Sequence, residues 1–186
     1  MIVTGASGVG KTTLVELLAP TLSLSVIPEL ARQICQELGY ERIGDIADQE
    51  AFKWKVLQAQ IDQENSLGSF IADRSTLDSW VLWQRWNICA AMSYDTERYY
   101  EKAYNQAQKY THVIYVPAMF EPVDDGFRWT DKDYQKQIDR LIRMTIFEWK
   151  LTACSYVIQS TDNESRLKET LSWLEHSHPM PISQSP

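Results

Sequence analysis

Gly5-Ala6-Ser7-Gly8-Val9-Gly10-Lys11-Thr12 satisfies the pattern G-x-x-x-x-G-K-[ST] at every fixed position. Average residue usage gives such a match odds on the order of one per cent in a chain this long, so a surface turn matching by accident is the poorer reading. The glycines let the backbone wrap close to phosphate oxygens, and the loop N–H groups with the following helix N-terminus make an anion site. Lys11 is expected to reach the β- and γ-phosphates of ATP, and Thr12 to give its hydroxyl to Mg²⁺. The nucleotide-binding set is therefore Gly5, Ser7, Gly8, Val9, Gly10, Lys11, Thr12 and Thr13. The motif marks nucleotide binding but does not separate a kinase from an ATPase or a GTPase.

Outward from this loop, short β-rich runs alternate with longer helical patterns, which predicts a parallel sheet with crossover helices. The runs are Met1 to Thr4, Leu24 to Ile27, Phe70 to Asp73, Val113 to Val116 and Tyr156 to Ile158. Helices are expected over Lys11 to Ala19, Leu30 to Leu38, Asp48 to Asn65, Thr76 to Ala90, Thr96 to Lys109, Lys132 to Leu151 and Asn163 to His176. The first run leads straight into the glycine loop, as a strand-loop-helix phosphate site requires. The fold class is thus α/β, a three-layer α/β/α P-loop NTPase arrangement with a five-stranded parallel sheet. One domain is expected over residues 1–178, with a lid at about 120–133 and a frayed tail at 179–186. The lid segment is polar, carries Pro and Gly and lacks periodicity.

Composition narrows the partners. With 186 residues the chain is long enough to bury roughly 70% of the surface its unfolded form exposes. A net charge of −7 without a basic run argues against a nucleic-acid surface, which needs clustered Lys and Arg. Cys35, Cys89 and Cys154 have neither paired number nor C-x-x-C spacing, so reduced thiols and a cytoplasmic location are expected. No stretch of about 18 apolar residues occurs, and the opening MIVTGASG has no charged leader, so membrane spanning and secretion are disfavoured.

Ligands of an open parallel sheet sit at the carboxyl ends of its strands. Three places qualify: Glu29, just past the second run; Asp73-Arg74-Ser75, closing the third; and Arg128, in the lid. Phosphoryl transfer needs a positioned hydroxyl, a metal and cations on the moving charge. Asp73 is assigned to Mg²⁺ or to the acceptor hydroxyl as base, with Glu29 taking the other role. Arg74 and Arg128 are candidates for acceptor or phosphate contacts, since guanidinium groups suit oxyanions. Each has a plainer reading: a helix-start carboxylate for Glu29, an N-cap for Asp73, a solvated loop arginine for Arg128.

Trp80, Trp83 and Trp86 recur at three-residue spacing on one predicted helix and read as core or subunit packing, which leaves a homodimer open, rather than as a base-stacking wall. Arg140 and Arg143 lie one turn apart after the lid; they face ATP phosphates or pair with Asp139 or Glu148. His112, His176 and His178 lack metal-ligand spacing.

Four segments, GASGVGKTT at Gly5 to Thr13, IPELAR at Ile27 to Arg32, ADRSTLD at Ala72 to Asp78 and DDGFR at Asp124 to Arg128, carry a family resemblance. The chain resembles the P-loop kinase/AAA-like ATPase family that includes the ribosylnicotinamide kinase domain of a bifunctional bacterial NAD-biosynthesis regulator. There a P-E-x-A-R segment follows the second strand and a D-G-x-R segment lies in the lid. It is also similar to deoxyribonucleoside kinases, in which a Glu after the second strand is the base and an acidic-Arg-Ser triplet follows the third. Glu29 and Asp73-Arg74-Ser75 match those positions, whereas the lid lacks that family's pair of arginines. The resemblance implies an ATP-dependent small-molecule kinase acting on a nucleoside-like hydroxyl, with nicotinamide riboside, a nucleoside or a nucleotide as acceptor. The alternative is a regulatory P-loop ATPase without a small-molecule acceptor.

Overall fold

Ile2-Val3-Thr4 and Val113-Ile114-Tyr115 are β-prone runs with no polar alternation, and every residue of both is buried. Such runs belong in the middle of a sheet covered on both faces. The computed structural model describes residues 1–88, 91–120 and 131–177. Its strands are β1 (Ile2–Thr4), β2 (Ser25–Ile27), β3 (Phe70–Asp73), β4 (Val113–Tyr115) and β5 (Ser155–Val157). All pair in parallel in the order β2-β3-β1-β4-β5. The two buried runs are neighbours near its centre, and the partly exposed β2 and β5 form the edges.

Among the described residues the α-helices are α1 (Lys11–Leu22), α2 (Leu30–Glu37), α3 (Gln49–Ser66), α4 (Thr76–Trp86), α5 (Ser93–Ala107), α6 (Lys132–Glu148) and α7 (Asn163–His176). They complete the three-layer α/β/α architecture. Asp48, Asp131 and Asp162 cap α3, α6 and α7, each accepting a backbone N–H from the third residue on.

Four helix ends depart from the sequence expectation by three or four residues, one of them that of α6, which stops at Glu148 instead of Leu151. Helix α1 runs through Pro20 to Leu22 instead of stopping at Ala19, since proline in the last turn forfeits only one helical hydrogen bond. Ser23, at φ 54°, then closes it in a left-handed turn. Helix α4 stops at Trp86, short of Ala90, because Asn87 and Ile88 are poor helix formers and Asn87 takes the C-cap position. Helix α5 starts at Ser93, before the expected Thr96, with Thr96 N–H already bonded to the Met92 carbonyl.

One hydrophobic core includes Leu14, Val15 and Leu18 of α1 and the strand residues Ile2, Val3 and Ile114. Burying side chains of this size contributes about 1.5–3 kcal/mol each. Of the tryptophan stripe, Trp80 and Trp83 enter the core. Trp83 stacks on Tyr99 with ring centroids 4.1 Å apart, and Trp54 meets both rings edge-on. Trp86 stays half exposed, on the cavity described below.

The register fixes the site. Val3 pairs with Asp73 on one side and Ile114 on the other, so the loop leaving β1 and the carboxylate ending β3 emerge together. The lid expected at 120–133 lies mostly outside the described residues, as do Arg128 and the tail at 179–186.

Candidate active site

Residues Gly5 to Gly10 wrap from β1 into α1, and the path demands glycine at two points. A Cβ on Gly5 would come within 2.4 Å of the Val116 carbonyl oxygen, so the loop's first turn is pressed against the exit of β4. Gly10 holds φ 89° as the residue that starts α1, and a Cβ there would meet an Arg166 guanidinium nitrogen at 2.8 Å. No side chain caps this helix start, which leaves its dipole to the loop.

Two distant side chains brace the loop. Arg166 of α7 donates through Nη1 to the Val9 carbonyl at 2.8 Å and through Nε to Ser160 at 2.9 Å. Gln135 of α6 donates to the Ser7 carbonyl at 2.8 Å. With those carbonyls turned toward α6 and α7, the peptide N–H groups are free to face the other way.

Lys11 is buried, and its ammonium donates to the Ala6 carbonyl at 2.6 Å. Burial pulls its pKa down to about 7, with the nearby Arg74 adding to the shift and Asp73, Asp78 and Glu29 opposing it. A phosphate anion is the partner that would restore this charge. Thr12 donates its hydroxyl to Asp73 Oδ2 at 2.5 Å, and Asp73 Oδ1 is buried with no hydrogen-bond partner. One hydroxyl and one carboxylate with a spare oxygen are the hard oxygen donors that Mg²⁺ takes. The residues present therefore fit that ion.

Arg74 follows β3 at φ 81°, a conformation that costs a non-glycine residue of order 1–3 kcal/mol. The turn sends its guanidinium across the sheet edge, where Nε donates to Glu29 at 2.7 Å and Nη1 to Asp78 at 3.3 Å. A third, longer contact reaches the Ser7 hydroxyl at 3.4 Å. Burial opposes the arginine's charge, but Glu29, then Asp78 and Asp73, outweigh it and hold its pKa above the ordinary value. Asp78 is itself pushed up by burial, against the pull of Arg74 and Lys11, and accepts from Ser75 at 2.9 Å.

Glu29 occupies the N-cap position of α2 but makes no side-chain cap bond, and its carboxylate turns to Arg74. Asp73 does not cap α4 either; Ser75 stands at that position. The pair Glu29–Arg74 and the Ser7 edge of the loop form one end of a cavity of about 870 Å³, whose walls include Phe52, Trp86 and Tyr134.

Lys11, Thr12, Glu29, Asp73 and Arg74 are thus brought together at the strand ends, while Val9 buries its side chain behind the loop and Thr13 points outward. Arg143 lies on the surface, pairing with Asp139 at 3.3 Å and donating to the Tyr115 hydroxyl at 2.7 Å, and Arg140 is exposed. Sequence reasoning missed Asp78, Gln135 and Arg166. Asp78 had a signal, an acid four residues beyond Arg74 on one helix face; the other two, remote in sequence from the loop, had none. Among the described residues no group of three or more His, Cys, Asp or Glu could hold a metal, and no helix is long and apolar enough to cross a membrane.

No curated protein matches the chain. Solved structures of the same fold include the NadR protein in complex with NR, at 16% identity and a TM-score of 0.72, matched over 98% of this chain and 53% of that one. The chain therefore spans about half the length of that protein. Deoxyadenosine kinase from M. mycoides matches at 15% identity and a TM-score of 0.68, over 95% and 98% of the two chains. Shikimate kinase from Acinetobacter baumannii, in complex with shikimate, follows at 13% and 0.60, over 94% and 92%. At these identities the likeness establishes the fold. A family assignment needs sequence as well, and the profile of the AAA domain family matches residues 1–166, the glycine loop and both strand-end carboxylates included; the chain belongs to that family.

Proposed function

We propose that the chain is an ATP-dependent kinase that transfers the γ-phosphate to a hydroxyl of a nucleoside-like small molecule. The observation that carries this reading is the cavity: its 870 Å³ adjoin Ser7 of the phosphate loop, and its near end holds Glu29 and Arg74. A switch ATPase needs a water beside the γ-phosphate; it has no use for an aromatic-lined chamber of ligand size. Phe52, Trp86 and Tyr134 suit a flat ring, which is consistent with the nucleoside and nucleotide ligands in related structures.

In this reading Lys11 and the loop N–H groups hold the donor phosphates, and Thr12 and Asp73 hold Mg²⁺, which neutralises phosphate charge when bound. Glu29 orients the acceptor hydroxyl and takes its proton. Arg74 keeps that carboxylate aimed, and Asp78 keeps Arg74 in place. Transfer forms a bond from the acceptor oxygen to the γ-phosphorus and breaks the β–γ bridge, leaving ADP.

Family membership favours a second reading, a regulatory ATPase whose output is a conformational change. ADP release measured across nucleosides, nicotinamide riboside, nucleoside monophosphates and shikimate, with an acceptor-free control, separates the two. The kinase reading expects release that depends on one acceptor class. Release indifferent to every acceptor would overturn it.

A further inference from the structure

The peptide unit joining Ser7 to Gly8 is planar and trans, so its carbonyl and its N–H point in opposite directions and neither turns without the other. Gln135, itself buried, donates to that carbonyl at 2.8 Å and thereby sets the direction of the Gly8 N–H, one of the donors the loop offers to phosphate. The residue just before it faces elsewhere. Tyr134 stands in the wall of the cavity, its ring centroid 5.8 Å from that of Trp86, another wall residue, and Trp86 Nε1 donates to its hydroxyl at 3.4 Å. Asp131 accepts the Tyr134 N–H at 2.6 Å and caps this first turn of α6, so the turn moves as one piece. The two contacts are held unequally. The Gln135 bond is inside the protein, whereas the seam between α4 and α6 lies at the surface: Trp86 is half exposed, and the Arg85 Nε bond to Gln137, at 2.9 Å, is exposed as well. Contacts open to water are the ones that part at small cost.

We propose that Gln135 is a positioning residue that couples the cavity to the phosphate loop: the Gln135–Ser7 bond and the closing of Tyr134 on Trp86 form together. Nucleotide at the loop then holds the α4–α6 seam shut. Conversely, an occupant that holds Tyr134 against Trp86 aims the Gly8 N–H and tightens nucleotide binding, by the same factor, since coupling between two sites is reciprocal. The coupling rests on nucleotide binding at the loop and needs neither a particular acceptor nor the transfer of phosphate.

Hydrogen exchange read by mass spectrometry, with and without AMP-PNP and Mg²⁺, tests this on the full chain. In the wild type, exchange over residues 82–87 and 132–138 should slow about fivefold or more on binding, the lower end of a typical coupling between sites. Gln135→Met keeps the length of the side chain and loses the donor. In that variant AMP-PNP should still bind and slow exchange over residues 5–13, while both cavity segments keep the rates of the free protein. Tyr134→Ala should divide the path, with residues 132–138 still slowed and residues 82–87 not. Calorimetry on the same preparations establishes binding in each. Cavity segments unmoved by bound AMP-PNP in the wild type overturn the coupling without any variant. So does slowing over residues 82–87 that persists in nucleotide-bound Gln135→Met. Failure of the wild type to bind AMP-PNP at all would sink the phosphate-loop assignment and the coupling with it, whereas binding that leaves the cavity segments unmoved sinks the coupling alone.

Discussion

The phosphate loop and the cavity beside it are built in opposite ways. The loop is nine consecutive residues, Gly5 to Thr13, shaped by glycines whose places are set by backbone contacts and by φ. The cavity draws Ser7, Glu29, Phe52, Arg74, Trp86 and Tyr134 from six separate segments, and its polar end depends on buried side chains reaching one another. A local device can be carried unchanged into many chains, whereas an assembled one can be retuned by single substitutions. Nucleotide binding should therefore be robust in this protein and, in the kinase reading proposed above, acceptor choice the property that varies.

Damage to the two regions should separate cleanly. The largest effect is expected from Lys11→Ala. It removes the one buried cation of the loop, so ATP binding and turnover should both fall below detection while the fold persists, as read by calorimetry, ADP release and circular dichroism. Undiminished ATP affinity in that variant would remove the phosphate assignment. Glu29→Gln should act on the other region alone. Acceptor phosphorylation should fall roughly 10²-fold, the usual scale for losing a general base, with the Kd for ATP unchanged. If acceptor phosphorylation stays at the wild-type rate, the Glu29–Arg74 pair is structural.

The bracing of the loop offers an intermediate case. Arg166→Met would strip hydrogen bonds from the Val9 and Ser160 carbonyls, at a cost of about 1–3 kcal/mol for each acceptor left buried. ATP affinity should drop about tenfold, the melting temperature should fall and acceptor KM should hold. A change confined to the melting temperature would mean that the loop keeps its shape without α7.

The same division explains what could be read from the sequence. The five strand runs and the glycine loop are local patterns, and the sheet places them where those patterns require. Glu29, Asp73 and Arg74 were legible because strand ends in a parallel sheet converge, a rule of topology that needs no coordinates. Their pairing was not. That Arg74 would fold back on Glu29 depends on a left-handed turn at a non-glycine residue, which no propensity favours. Arg166 lies 157 residues from Val9, and only the packing of α7 beside α1 brings it to the loop.

The smallest effect expected is also the most particular to the loop. In the free protein burial holds the Lys11 pKa at about 7, below the ordinary 10.5 of a lysine. Between those two values the folded chain holds fewer protons than the unfolded one, so this lysine makes stability rise with pH across that window. Nucleotide reverses the balance, since polyphosphate charge against Nζ lifts the pKa again. Binding ATP above about pH 7 must then draw in a proton. Affinity should be full below that pH and fall as pH rises, by no more than about tenfold per unit. Calorimetry at pH 8 in two buffers of different ionisation enthalpy reads the uptake directly: a value approaching one proton per ATP is expected. Zero uptake in the wild type would mean that the lysine is already charged before the nucleotide arrives, held so by Asp73, Asp78 and Glu29, and that Glu29 at the cavity's near end serves the phosphate loop as well as the cavity.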